Sequence, residues 1–246
     1  MSGADLKNRP RVAAIVIGCF AGFLLGEVVA SVLVDVAAQA DHFPGGLSAI
    51  TKLSSPPWWS NVLGLVGIWV GFGAAIGFAR TRGELADMPR QWSFRASDVL
   101  FVGLGVGAQL LVDLLYLPFH AKDLNKPVNH LFGGATGFAF VLLAVMTTLG
   151  APIVEEWLFR GVLFRALDSG FSEVMKRGGT VIAALLSACL FGLAHGELLQ
   201  FAGLEVLGVI LASVVKRTQR LVPSIITHAS FNAVALVTLI HQRAGH

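Results

Sequence analysis

Residues 149–161 read Leu-Gly-Ala-Pro-Ile-Val-Glu155-Glu156-Trp-Leu-Phe-Arg160-Gly, and they carry three ionisable side chains inside otherwise apolar sequence. An ionisable residue at membrane depth is costly and indicates a functional site by default. Glu156 and Arg160 are four residues apart with the acid first, which favours an ion pair on one face of a helix. Neighbouring helical residues point about 100° apart. We therefore expect Glu155 to face elsewhere and to be free of that pair.

The surrounding composition is that of a membrane protein. The 246 residues are 55% hydrophobic and 13% charged, with a mean hydropathy of +0.73, and soluble domains carry about twice that charged fraction. Apolar stretches of about 20 residues recur along the chain, which predicts an all-α, polytopic transmembrane bundle of seven to eight helices. The predicted spans are 12–38, 61–79, 98–119, 131–150 continuing as helix through 168, 180–196, 198–215 and 221–241. The eighth helix arises if 151–168 counts separately.

Two parts of one integrated membrane domain are expected. Residues 1–130 would supply N-terminal transmembrane helices, and residues 131–246, which hold all the patterned polar residues, would form the functional core. Small residues four apart allow transmembrane helices to approach closely. Three such sets predict helix contacts in the N-terminal part: Gly18/Gly22/Gly26, Gly67/Gly71 and Gly103/Gly107.

The basic residues predict the orientation. Alternating the connections from a cytoplasmic N-terminus places 13 Lys and Arg residues inside and four outside, as the positive-inside rule requires. The stretch that follows Val12 is too long for a signal-peptide core and is expected to remain attached as the first span. With a net charge of +3 and basic residues confined to loops, no nucleic-acid partner is indicated. Two cysteines, Cys19 and Cys189, exclude a disulfide framework.

Two further motifs lie in later spans: Phe191-x-x-x-His195 and His228-x-x-x-Asn232. Residues four apart share a helix face. A histidine near a helix end, or a carboxamide within a span, is by itself more often an ordinary helix-to-helix contact. Side by side, however, His228 and Asn232 can stabilise an oxyanion. The joint occurrence of three polar motifs favours a hydrolytic site.

Other functions remain open alternatives. Glu27, Asp113 and Glu205 have no patterned partners, and the sequence does not determine their roles. Together with Glu155 they could form the proton path of a small transporter, but the inverted halves typical of transporters are not detectable. A non-catalytic membrane scaffold or immunity factor would also tolerate these motifs.

The order of the three motifs on separate helices resembles the CPBP intramembrane proteases. This family includes the CAAX prenyl endopeptidase of the Ras-converting type and bacterial bacteriocin-processing and immunity (Abi) proteins. The flanks Glu155-Glu156-Trp-Leu-Phe-Arg160-Gly and Phe191-Gly-Leu-Ala-His195-Gly are also similar to those of the family. The resemblance covers about residues 135–241, and the first 130 residues add no motif.

The resemblance implies an intramembrane endopeptidase with a four-residue catalytic set. Glu155 would activate water as general base, and His195 would help to orient that water. His228 and Asn232 would polarise the scissile carbonyl and stabilise the oxyanion. Supporting roles would fall to Glu156, Arg160 and Phe191. The expected partners are the lipid bilayer and a peptide or protein substrate, either membrane-associated or of the prenylated or leader type, in a bacterial plasma membrane. The oligomeric state stays open.

A zinc mechanism is the chemical alternative, because Glu155, His195 and His228 make a legitimate catalytic zinc set. The chain contains no His-Glu-x-x-His motif, and Asn232 suits an oxyanion better than zinc. We therefore favour a glutamate mechanism without a metal or other cofactor.

The depths of the two histidines predict a tilted helix. Counted from Thr180, His195 lies more than about 20 Å deep, whereas His228 lies only about 10 Å from Leu221, at roughly 1.5 Å per residue. For the imidazoles to meet, helix 180–196 must tilt or begin outside the hydrocarbon.

Overall fold

The computed structural model describes residues 3–83, 88–119, 126–175 and 177–244, with side chains described from residue 12 onward except at 88, 89 and 177. Within these ranges the chain is helical and contains no strand. The helices are α1 Gly3–Ala40, α2 Gly46–Ile50, α3 Trp58–Thr81, α4 Met88–Gln91, α5 Ala96–Phe119, α6 Lys126–Phe132, α7 Gly137–Met175, α8 Arg177–Ala194, α9 Phe201–Thr218 and α10 Val222–Ala244. The all-α prediction is confirmed.

Five helices are long and apolar enough to cross a membrane: α1 (from Val12), α3, α5, α7 and α10. Their outward-facing side chains include Leu110 and Val141, which are 54% and 58% exposed. Apolar exposure of this extent suits contact with lipid and not with water. The predicted count of seven to eight helices is not confirmed, since the described residues form nine helices of five residues or more. Helices α8 and α9 are each 18 residues long but fall outside the five.

Two predicted boundaries are wrong. The span expected from residue 131 begins at Gly137, because Gly133 and Gly137 take positive φ values of 43° and 52° and turn the chain between α6 and α7. Helix α9 begins at Phe201, after a turn in which Gly196 has a φ of 69°. The predicted polar connection 120–130 lies partly outside the described residues.

The expected glycine contacts hold for α1 and α3 but not for α5. A Cβ atom on Gly71 would collide with the backbone of Gly22 and Gly26, so these two helices approach closely. By contrast, nothing lies within 4 Å of a Cβ atom built on Gly103 or Gly107. The small-residue spacing at these positions therefore does not mark a contact.

Helix α5 packs on α10 through a different glycine. A Cβ atom on Gly105 would collide with the carbonyl oxygen of Thr227 and with Ser230. Gly208 performs the same role between α9 and α8, where its closest neighbour is Ala188. These two close approaches bring α8, α9 and α10 around α7.

One large core cluster joins both parts of the chain. Ile15 from α1 and Phe72 from α3 pack in the same cluster as Phe159, Phe191 and Leu207 from α7, α8 and α9. The patterned polar residues of α7 and α10 lie against this cluster.

Candidate active site

The base of the site is the buried ion pair within α7. Arg160 Nη1 lies 3.0 Å from Glu156 Oε1, and both side chains are fully buried. The ion pair predicted from the spacing is therefore present. Arg160 also donates through Nη2 to the Gly208 carbonyl at 3.3 Å, and its guanidinium lies 4.3 Å from the centre of the Phe191 ring. A buried charge needs this many partners, because an unpaired one is very costly.

Both glutamates of the pair approach His228. The Nδ1 atom of His228 lies 3.1 Å from Glu156 Oε1, and its Nε2 atom lies 3.8 Å from Glu155 Oε2. A carboxylate oxygen only accepts hydrogen bonds, so the Nδ1–H group donates to Glu156. A carboxylate partner of this kind fixes the tautomer and orientation of an imidazole. Glu156 therefore orients His228.

Glu155 is held less tightly than Glu156. Its side chain keeps 15% of its surface exposed, and its 3.8 Å approach to His228 is longer than a hydrogen bond. The expectation that Glu155 avoids the Glu156–Arg160 pair is confirmed, but it is not free of partners, because it faces the second nitrogen of the same imidazole. A partly exposed carboxylate beside an oriented imidazole can accept a proton from a bound water.

Phe191 joins the two imidazoles. Its ring centre lies 4.7 Å from that of His195 and 5.5 Å from that of His228. The two histidines therefore share one neighbour, and α8 begins at Arg177, before the predicted Thr180. This arrangement answers the difficulty of depth.

His195 itself sits at the edge of the site. It lies just beyond the C-terminal end of α8, is exposed, and its Nδ1 atom is 2.8 Å from the Phe191 carbonyl oxygen. Among the described residues, no hydrogen bond or ion pair joins His195 to Glu155, His228 or Asn232.

Asn232 is anchored to α7. Its Nδ2 donates to the Thr147 carbonyl at 2.9 Å, within a π-helical stretch, Met146–Gly150. A second π-helical stretch, Trp157–Phe164, follows the two glutamates. Such bulges are frequent at functional sites. The bond leaves Asn232 one further N–H group, one turn along α10 from His228.

The structure thus connects five of the seven predicted residues directly. These are Glu155, Glu156, Arg160, Phe191 and His228. His195 joins them through Phe191, and Asn232 joins α10 to α7. Sequence reasoning missed the carbonyls of Thr147 and Gly208, because main-chain groups leave no residue-type signal. It also missed Asp98 and Arg220, which form a buried pair across 122 positions.

The proposed zinc set is not assembled in this arrangement. In the ranges that the structure describes, no three His, Cys, Asp or Glu side chains lie close enough to hold a metal ion. Glu155, His195 and His228 therefore do not fit a zinc ion as they stand, and no chemistry is derived through one.

Fold and site together define an integral membrane protein with a buried glutamate–arginine–histidine centre. Residues 137–234 match the family model described as "Type II CAAX prenyl endopeptidase Rce1-like". This segment contains every predicted site residue from Glu155 to Asn232. It belongs to the CPBP intramembrane protease family, as the three motifs indicated.

One curated relative agrees with this family. The chain is 26% identical over 99 residues to the protein named "Putative membrane peptidase YdiL" of Bacillus subtilis (strain 168). The matched region covers 40% of this chain and spans 38% of the length of that relative. No solved structure matches the chain significantly.

Proposed function

We propose that this protein is an intramembrane endopeptidase that hydrolyses a peptide bond with a water activated by Glu155. The observation that carries the proposal is the convergence of Glu155 and Glu156 on the two nitrogens of His228. This convergence joins two motifs that lie 72 residues apart. The family match of the same segment and the name of the curated relative support it.

Each polar group has a distinct role in the proposed reaction. Glu155 takes a proton from water, and the resulting hydroxide attacks the scissile carbonyl carbon. His195, at the exposed edge, helps to orient the water. Because Glu156 holds Nδ1 of His228, Nε2 is the ring atom that remains to serve the reacting carbonyl. The remaining N–H of Asn232 would share the developing oxyanion, a contribution of roughly 3 kcal/mol for one good donor.

The substrate that we propose is a membrane-associated peptide, including prenylated and leader-type sequences. The chain would lie in a bacterial plasma membrane with its N-terminus in the cytoplasm. A glutamate mechanism without a metal is the first choice, and a zinc-dependent version is the alternative. A non-catalytic scaffold or immunity protein is the alternative from another class.

The test is the substitution Glu155→Gln, which keeps the shape of the side chain and removes the base. We expect cleavage to fall by roughly 100-fold or more, the usual contribution of a general base. Peptides in membranes from cells with the native chain and with Glu155→Gln are compared by mass spectrometry. The comparison reveals both the substrate and its cleavage site.

Two controls separate the alternatives. A scaffold or immunity protein would give the same peptides and phenotype with either chain. A zinc enzyme would lose activity in a strong chelator and regain it with added zinc, whereas the proposed glutamate enzyme keeps its activity in the chelator.

A further inference from the structure

Residues 91–98, here called the docked segment, lie against the start of α10. The Leu221 N–H donates to the Gln91 carbonyl at 2.7 Å, and Arg220 Nη1 donates to the Ser93 carbonyl at 3.1 Å. Gln91 is 2% exposed. The segment is therefore part of the packed structure and not a loose loop.

A two-pronged ion pair fixes the far end of the docked segment. Arg220 donates from Nη1 and Nη2 to the two carboxylate oxygens of Asp98, at 2.6 and 2.7 Å, and both side chains are buried. Asp98 also accepts the N–H of Arg95 at 2.9 Å. A bidentate arrangement sets orientation as well as distance. The position of every residue between 91 and 98 is thereby restricted.

This restriction places Trp92 against Trp157. Their ring centres are 5.3 Å apart with an interplanar angle of 81°. Trp157 directly follows Glu156 in α7, and both indoles pack against the core cluster that contains Phe191. The docked segment therefore brings a second indole next to the glutamate pair.

Both indole Nε1–H groups are buried without an acceptor among the described residues. A buried indole N–H normally has a hydrogen-bond partner, and an unsatisfied one needs an explanation. Here two such donors occur together, one of them adjacent in sequence to Glu156. Their neighbours in the docked segment, Ser93 and Asp98, do have partners.

We propose that the Nε1–H groups of Trp92 and Trp157 form a substrate subsite that donates hydrogen bonds to main-chain carbonyl oxygens of the peptide to be cleaved. This inference rests on the proposed function, and it makes both indoles specificity-determining residues. It also gives the docked segment a role in substrate binding.

The chemistry of the indole selects this ligand. An indole N–H is a donor only and carries no charge, so it suits a neutral acceptor such as an amide carbonyl. Main-chain carbonyls are present in every peptide, so the subsite recognises an extended backbone and not a particular side chain. The flat indole faces add apolar contact area for the neighbouring substrate side chains.

The test replaces each indole, one at a time, with benzothienylalanine, which keeps the shape and lacks the N–H. The matched control is the same replacement at Trp59, which also forms an edge-to-face aromatic pair, with Phe43 at 6.4 Å, in a separate apolar cluster. The probe is a quenched fluorogenic peptide spanning the cleavage site found in the Glu155→Gln comparison. KM, kcat and the melting temperature without peptide are measured for each protein.

We expect KM to rise roughly threefold to tenfold at positions 92 and 157, the usual effect of one hydrogen bond, with kcat within about twofold of the native value. The melting temperature should stay equal or rise, because a buried donor without an acceptor has been removed. The Trp59 replacement should leave KM unchanged.

Three results would overturn the inference. An unchanged KM at both positions, or an equal rise at position 59, would rule out the subsite. A lower melting temperature with unchanged KM would assign the N–H groups a structural acceptor. Cleavage that survives Glu155→Gln would defeat the proposed function and the subsite together, whereas Glu155-dependent cleavage with unchanged KM defeats the subsite alone.

Discussion

Adjacent glutamates take different roles because they point in different directions from one helix. Glu156 is fully buried and shares its Oε1 atom between Arg160 and His228. Glu155 keeps partial exposure and makes only a long approach to His228. A carboxylate held by two charged or polar partners is suited to orientation, whereas the looser one is suited to proton transfer. The difference lies in burial and partners, since the side chains are identical.

The residue-scale prediction contrasts these two positions. Glu156→Gln leaves Arg160 as a buried charge without its counter-ion, which costs about 3–5 kcal/mol. We expect this variant to lose both stability and activity, whereas Glu155→Gln loses activity only. Thermal unfolding of the two detergent-solubilised variants checks the contrast. Equal melting temperatures would contradict the assignment of Glu156 as the orienting residue.

At the scale of single elements, helix α7 owes its function to its irregularity. The π-helical stretches Met146–Gly150 and Trp157–Phe164 flank the six regular residues Ala151–Glu156. A π-helical turn disturbs the regular hydrogen-bond ladder and often occurs at a site. In α7 the first stretch presents the Thr147 carbonyl to Asn232. Position 147 carries no polar-motif signal, so this contact was not predictable from sequence.

A second element-level feature is the Asp98–Arg220 pair, which holds the start of α10. The hydrogen bonds from Asp98 raise the pKa of Arg220, so its guanidinium stays charged throughout the neutral range. Arg220 lies eight positions before His228, which is about 12 Å along a helix. The pair therefore fixes the end of the helix that delivers His228 and Asn232.

The element-scale prediction is a double-mutant cycle on this pair. Asp98→Asn and Arg220→Gln each leave a buried partner unsatisfied, and each should cost roughly 1–3 kcal/mol. The double variant should cost less than the two single costs added together, because the contact can be lost only once. Melting temperatures of the four proteins give the coupling. Strictly additive losses would show that the two side chains do not act as a pair.

For the whole molecule, lipid contact and internal packing divide the surface of each helix. Apolar side chains such as Leu110 and Val141 face outward, while glycines such as Gly71, Gly105 and Gly208 lie where helices meet. In lipid, association depends on close packing and polar contacts, since apolar side chains gain little by leaving the bilayer. This explains why a hydrophobic exterior coexists with a polar centre.

The whole-molecule prediction concerns orientation. In a chain with Cys19 and Cys189 replaced by alanine, we introduce Ser54→Cys after α1 or Arg82→Cys after α3, both at exposed positions. A membrane-impermeant maleimide should label position 54 in intact cells and position 82 only after lysis. This follows from the excess of basic residues on the cytoplasmic side. The reverse pattern would place the N-terminus outside.

The sequence by itself determined the all-helical membrane class, the family and the Glu156–Arg160 pair. These depend on composition, on motif order and on spacing within one helix, all of which are local along the chain. It did not determine the helix count, because membrane-spanning length and helical length differ for α8 and α9. It also assigned a helix contact to Gly103 and Gly107, where position 105 carries it instead.

Only the tertiary structure decided how the motifs meet. His228 lies between two carboxylates, Phe191 joins the two imidazoles, and Trp92 reaches Trp157 through a segment held by Arg220. Each contact joins residues far apart in the chain, so it depends on helix tilt, on close approach at glycines and on main-chain carbonyls. Those quantities arise from packing, and no spacing within one helix contains them.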